Sequence, residues 1–263
     1  MNKSLILHGY SSVLLCFCLV ALCTSAIAET EGLSDFRAAL KRLQSTAPIS
    51  VNAQFKRFGR SGESDELIER EGVVNLRLED GPSGLSASYS PELIAQMHGE
   101  ELAKIADENV KTPAINAVGD FQYREWEELL YPAAQLEIML ARYDYVNETI
   151  GELDGRPARA LTFSMTKDKI DKGFRKYIKH YENQLVVWID DTGVPIASQI
   201  VEQGRGRIFI VIGFKFNSEV NTRYQQYQGR LIAVRREVED ESSGATMQSQ
   251  RHFIATLSPE ASP

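Results

Sequence analysis

The chain of 263 residues is 43% hydrophobic and 25% charged, with 36 acidic against 29 basic side chains and a net charge of −7. That length supports a buried core in one large domain or two small ones without covalent staples. The acidic balance makes the surface as a whole a poor match for nucleic acid or for a bare anionic membrane.

The N-terminus reads as a cleavable export signal. Lys3 is the positive n-region, Val13 to Leu22 is an apolar run, and Ala26-Ile27-Ala28 is a small-x-small cleavage pattern leaving Glu29 as the new terminus. The apolar run is too short for a spanning helix, which needs about 20 apolar residues. Lipid attachment would need a small residue before the cysteine, but Leu22 precedes Cys23 and Phe17 precedes Cys18. The predicted exported product is residues 29–263, with no transmembrane anchor. All 3 cysteines fall within the signal, so that product has no disulfide and no thiolate metal site. Secreted eukaryotic domains commonly use disulfides, so the periplasm of a bacterium is the expected compartment. Asn147-Glu148-Thr149 is a glycosylation sequon in form alone in that setting.

Ser34 is placed to cap a short helix with Phe36, Leu40 and Leu43 on one face, stopped by Pro48. Ile49, Val51, Ala53 and Phe55 then alternate with polar residues as a half-buried strand. Residues 59–66 read as a polar loop. Val74, Leu76 and Leu78 alternate next, 79–84 turns the chain, and Leu85, Ala87 and Tyr89 return. Ser90-Pro91 opens a helix carrying Leu93, Ile94, Met97, Leu102 and Ile105. Residues 109–123 look irregular. Trp126 to Leu140 is a second helix, entered or kinked at Pro132.

From Tyr143 the period-two pattern returns. Turns are predicted at 153–157, 190–193, 204–206 and 240–245, so consecutive hairpins form a large antiparallel meander. About ten or eleven strands are expected in all. In the segment 208–216, Ile208, Ile210, Ile212, Phe214 and Phe216 fill one face of a strand, and Phe209 and Val211 lie on the other. A strand with one wet face alternates, so here either both faces are covered by protein or one lines an apolar cavity.

The search for catalytic motifs is negative. His98, His180 and His252 show no ligand spacing. No nucleophile elbow or phosphate loop is present. Ser164-Met165-Thr166-Lys167 has the Ser-x-x-Lys form but ends a strand, where the lysine does not lie beside the hydroxyl. Asp190-Asp191, before Thr192-Gly193, reads as a turn. No cofactor is predicted and the chain reads as non-catalytic. One stretch reverses the overall sign: Lys167, Lys169, Lys172, Arg175, Lys176 and Lys179, with Phe174, Tyr177 and Tyr181 interleaved. It is either a solvated loop or a docking surface for an acidic partner or lipid headgroups.

This layout resembles the lipoprotein-localisation superfold of bacterial periplasmic proteins, which includes the outer-membrane lipoprotein carrier and the sensor-regulators of the envelope stress response. The likeness lies in an N-terminal helix, the strand Ile49–Phe58, the hairpin Val73–Tyr89, the helices and the long meander. It extends to the phrases Leu153-Asp154-Gly155-Arg156-Pro157-Ala158 and Val187-Trp188-Ile189-Asp190 with Gly193-x-Pro195. The chain departs from the carrier where Lys56-Arg57 follows Phe55 in place of glutamine. Arg77 has no neighbouring proline, and Leu85–Tyr89 replaces a tryptophan-bearing strand. The resemblance implies an α+β fold: a large curved antiparallel sheet, an unclosed half-barrel, with a helical lid at 91–142 inserted after the first three strands.

Two functions are compatible with this reading. One is a binding protein that holds an apolar ligand, a lipid or the acyl chains of a lipoprotein, between sheet and lid. Its candidate wall residues are Ile208, Ile210, Ile212 and Phe214, with Met97 and Leu102 from the lid. The other is a protein-interaction or sensor module of the envelope. Its candidate partner surface is Lys169, Lys172, Arg175, Lys176 and Lys179.

Overall fold

The computed structural model describes residues 30–63, 65–208 and 212–259. The export signal and the candidate wall residue Ile210 lie outside the described residues.

The fold is α+β. A ten-stranded antiparallel sheet runs in the order β3-β2-β1-β10-β9-β8-β7-β6-β5-β4. It is an unclosed half-barrel, since β3 and β4 each have one neighbour. The strands are β1 Ile49–Glu63, β2 Glu66–Gly81, β3 Gly84–Tyr89, β4 Asp144–Leu153, β5 Arg156–Ser164, β6 Ile178–Ile189, β7 Pro195–Ile208, β8 Ile212–Tyr227, β9 Arg230–Gly244 and β10 Met247–Pro259. Helix α1, Glu31–Arg42, precedes them. Four helices follow β3: α2 Pro91–Ala106, α3 Pro113–Asp120, α4 Tyr123–Leu130 and α5 Pro132–Leu140. A one-turn α6, Lys172–Arg175, sits between β5 and β6. Among the described residues no helix is long and apolar enough to cross a membrane.

One face of the sheet carries the helices and the other is bare. Alternation decides which side chain meets which: Val51, Ala53 and Phe55 of β1 face α3 and α4, while Asn52 and Lys56 point to water. The space between sheet and helices is filled. Phe55 stacks on Phe121 at 4.8 Å and leans on Phe253 at 5.2 Å, and Ala114, Ala117, Leu129 and Leu130 close around them. A second cluster joins Phe36 and Leu40 of α1 to Leu136 of α5 and to Phe163, Leu185 and Val187.

Sheet arginines fasten the helices one by one. Arg57 meets Asp120 at the end of α3 at 2.5 Å, Arg236 meets Glu128 of α4 at 2.7 Å, and Arg159 meets Asp35 of α1 at 2.8 Å.

Several boundaries differ from those read in the sequence. The cap of α1 is Thr30, whose hydroxyl accepts from Leu33 N–H at 3.4 Å; Ser34 already lies in the first turn. Residues 113–120 are helical, and the second predicted helix is two, divided before Pro132. The polar segment 59–66 is mostly strand, as are 204–206 and most of 240–245. The run 208–216 is therefore not one strand. Ile208 ends β7 and pairs across the hairpin with Ile212, which starts β8.

Candidate functional site

The long hairpins extend the sheet beyond the helices. Gly72 of β2, against which α3 sits, is in register with Arg57, Phe253, Val238 and Val220 across the sheet. Past that row β1, β2, β7, β8, β9 and β10 all continue beyond α1 to α5, with only the one-turn α6 against β8. Phe214 lies on β8 roughly 20 Å farther along than Val220, at about 3.3 Å per residue.

On the helix-bearing face of this extension lies an aromatic cluster. Phe214 and Phe216 are parallel at 6.4 Å. Phe174, from α6, stacks on Phe214 at 5.8 Å and tilts over Phe216 at 6.3 Å. Their cross-strand partners are Gly206 and Gly204. A Cβ at Gly204 would run into the Phe216 ring, and one at Gly206 into the Phe214 ring. The two glycines thus let the rings lie flat across β7, a recurring way to cover bare strand backbone. The rings wall a hollow of about 540 Å³ whose floor is Ser61, Ser242, Gly244 and Ser249, with Met247 at its rim. The floor residues are small, and the hollow is broadly open to solvent. Phe174 remains 44% exposed.

Glu202 enters the hollow from β7. Its carboxylate accepts from Tyr181 Oη at 2.8 Å; Asn183 Nδ2 donates to Tyr181 at 3.0 Å, and Tyr143 donates to Asn183 Oδ1 at 2.7 Å. Burial pushes the Tyr181 hydroxyl well above its ordinary value, with Glu202 adding to the shift against the Asn183 hydrogen bond. Tyr181 therefore stays protonated and keeps the carboxylate in place. The lining offers aromatic faces, hydroxyls, one ordered carboxylate, and Lys215 and Gln248. These groups suit holding an elongated apolar group with a polar end.

The structure separates the predicted wall residues. Ile208, Ile212 and Phe214 belong to the far end of the β7–β8 hairpin. Met97 packs half-buried on the helix-covered core, and Leu102 is 69% exposed on α2. The predicted basic surface also divides. Lys169 is paired with Asp144 at 2.6 Å and Arg175 Nη1 donates to Asp168 O at 2.6 Å. Lys176 lies over the Tyr177 ring at 4.8 Å. Lys172 and Lys179 project into solvent.

Sequence reading missed three basic neighbours. Arg205, Arg207 and Lys215 gather with Lys179 around a bare-face hollow of about 750 Å³. Arg205, Arg207 and Lys215 share one hairpin and Lys179 joins them from β6 through register: Ile178 pairs with Gly206, and Arg205 with both His180 and Lys215. The signal available was arginine alternating with glycine beside an apolar run. Elsewhere on the bare face His252 lies 2.9 Å from Glu237. Asp190 accepts from the N–H groups of Thr192 and Val194, both at 2.9 Å, as a turn residue.

No family model matches the chain, and no curated protein matches it. Among solved structures it is similar to a DUF1329 family protein from Desulfovibrio piger, with 10% identity over 87% of this chain and 92% of that one at a TM-score of 0.30. It is also similar to an outer membrane lipoprotein-sorting protein domain from Vibrio parahaemolyticus, with 12% identity over 88% and 93% at a TM-score of 0.28. The second neighbour is of the kind that the sequence resemblance named. At such TM-scores the superposition is loose, and the site stands on its own geometry.

Proposed function

We propose that the protein is an exported, non-catalytic binding protein of the bacterial envelope that holds an acyl chain of a lipid or lipoprotein in the hollow beyond the helices. In this reading residues 1–28 are the export signal, residues 29–263 form one domain, and the place of work is the periplasm. The carrying observation is the Phe174–Phe214–Phe216 cluster, left partly open over a floor of serine and glycine. Rings that served only the core would be covered, as Phe55 and Phe121 are. Open rings beside a hollow supply apolar contact to a guest, at about 0.8 kcal/mol for each methylene buried, before ordering costs. The space between sheet and helices, by contrast, is already occupied by side chains.

Titration with a fluorescent fatty-acid probe tests this. The protein should bind it, and Phe174→Asp should weaken binding by about tenfold or more, since it puts a charge into the aromatic wall. Phe174 sits on a surface turn, so the variant should melt close to the parent. Failure of the parent to bind the probe, or unchanged affinity in Phe174→Asp, would overturn the assignment.

A further inference from the structure

Among the residues that line the aromatic hollow, Glu202 is the one whose bonding is incomplete. Its Oε1 accepts from Tyr181 Oη at 2.8 Å, and among the described residues the carboxylate has no other side-chain partner and no ion pair. Tyr181 is fixed by Asn183, which is 7% exposed and is held in turn by Tyr143. Tyr143, Asn183 and Tyr181 thus hold a carboxylate at the hollow and leave Oε2 unbonded. The row across β7, β8, β9 and β10 reads Glu202, Ser218, Asp240, Arg251. Its cation, Arg251, stands three strands from Glu202, roughly 14 Å at about 4.8 Å per strand, and Arg251 Nε already donates to Asp240 at 2.8 Å. Lys215 also lines the hollow. It lies between Phe214 and Phe216, however, so alternation sends its side chain to the opposite face, where its register partner is Arg205. The ring-bearing face therefore brings three phenylalanine rings and one uncompensated carboxylate to the same space. Aromatic faces are negative in their quadrupole, so rings and carboxylate alike attract a cation and repel an anion.

We propose that the polar end of the guest is an ammonium group, carried on an alkyl or acyl chain. The chain lies along the rings of Phe214 and Phe216, and the ammonium donates to Glu202 Oε2. The Phe216 ring covers Gly204, two residues along β7 from Glu202, so the ammonium sits at the edge of that ring. Glu202 is the residue that sets specificity, and Tyr181 positions it. A carboxylate or phosphate end would place like charge against Glu202, and a hydroxyl end would make the hydrogen bond without the charge attraction. A fatty acid binds through its chain alone and is the weaker ligand. The inference rests on the acyl-binding reading and names the chemical class of its ligand.

Calorimetric titration of the purified protein with dodecylamine, dodecanol and dodecanoate, ligands of equal chain length, tests the inference at neutral pH. The parent should prefer dodecylamine to dodecanoate by about tenfold or more, with dodecanol between them. Glu202→Gln keeps an acceptor for Tyr181 and should melt close to the parent, while its amine-to-acid ratio should fall by about tenfold. A measurement on the parent alone needs no variant: in NMR spectra the methylene next to the ammonium should show cross-peaks to the rings of Phe216 and Tyr181. Lysophosphatidylethanolamine and lysophosphatidylglycerol distinguish the sources of the group. Preference for the former supports an aminolipid headgroup, and equal binding of the two beside a retained preference for dodecylamine supports a simple long-chain amine. Dodecanoate bound as tightly as dodecylamine, a ratio unchanged in Glu202→Gln, or a methylene remote from both rings would each overturn the inference and leave the acyl-binding reading standing. A preference for dodecanoate that is lost in Lys215→Gln would assign the polar end to that lysine and overturn it too. Failure of the parent to bind any of the three would overturn the acyl-binding reading itself.

Discussion

Arg230 shows how much order one buried side chain imposes. It is 1% exposed. Nη1 donates to Asp80 Oδ2 and Nη2 to Ala47 O, both at 2.6 Å, and the guanidinium lies 5.6 Å from the centre of the Tyr131 ring. It thus ties the α1–β1 connection, the end of β2 and the α4–α5 junction to the start of β9. Burial, with the Asp80 hydrogen bond, pushes the Tyr131 hydroxyl up to about 12, so it remains a neutral donor. Nε has no partner, and the site therefore depends on Asp80 to compensate the buried charge. Asp80→Ala should destabilise the protein by about 3–5 kcal/mol in urea unfolding, because the cation is left unpaired in a dry site. Replacing both partners, with Arg230→Met and Asp80→Leu, should cost less than the single change. None of this was visible in the sequence, where Asp80 falls in a turn and Arg230 belongs to no motif. The contacts join positions far apart in the chain.

At the scale of elements, the sequence pattern was legible wherever burial enforced it. The alternations at 49–55 and 74–78 and the helix opening at Ser90-Pro91 all correspond to observed elements. Two classes of element escaped. Helix α3 did, because its cap is not local: Glu100 of α2 accepts from the N–H groups of Ala114 and Ile115 at 3.0 Å, while Thr112 makes no capping bond. The far ends of the β1–β2 and β9–β10 hairpins did too, because none of α1 to α5 covers them and their residues have no apolar alternation to show. Backbone pairing with neighbouring strands holds them. The same absence hid the hollow, whose floor of serine and glycine reads as loop. Close helix–sheet approach has its own requirement at Gly72, where a Cβ would meet Pro113 O and lie 3.0 Å from the Ala117 Cβ. Gly72→Ala should therefore push α3 off β2 and cost about 1–3 kcal/mol by thermal or urea melting. A neutral result would mean that α3 is not seated as described.

At the scale of the whole molecule, the sheet divides along its strands into two regimes. One half is stabilised by the helices, by two apolar clusters and by the arginine pairs at Arg57, Arg159, Arg230 and Arg236. The other half has strand pairing, one aromatic cluster and a group of cations. The net negative charge is thus an average over a surface that gathers Lys179, Arg205, Arg207 and Lys215 at one end. Local stability follows apolar burial, so amide hydrogen exchange should be graded along individual strands and not from strand to strand. Residues 59–63, 66–70, 203–208, 212–217 and 240–251 should exchange well before residues 49–57, 73–80 and 230–238 of the same strands. A guest seated against Phe174, Phe214 and Phe216 adds burial only to the outer half, so a fatty acid should slow exchange there and leave the inner half unchanged. Uniform protection along β1, β8 and β9 without a guest would show that the sheet is one cooperative unit. Protection by fatty acid confined to the residues under α3 and α4 would move the ligand beneath the helices.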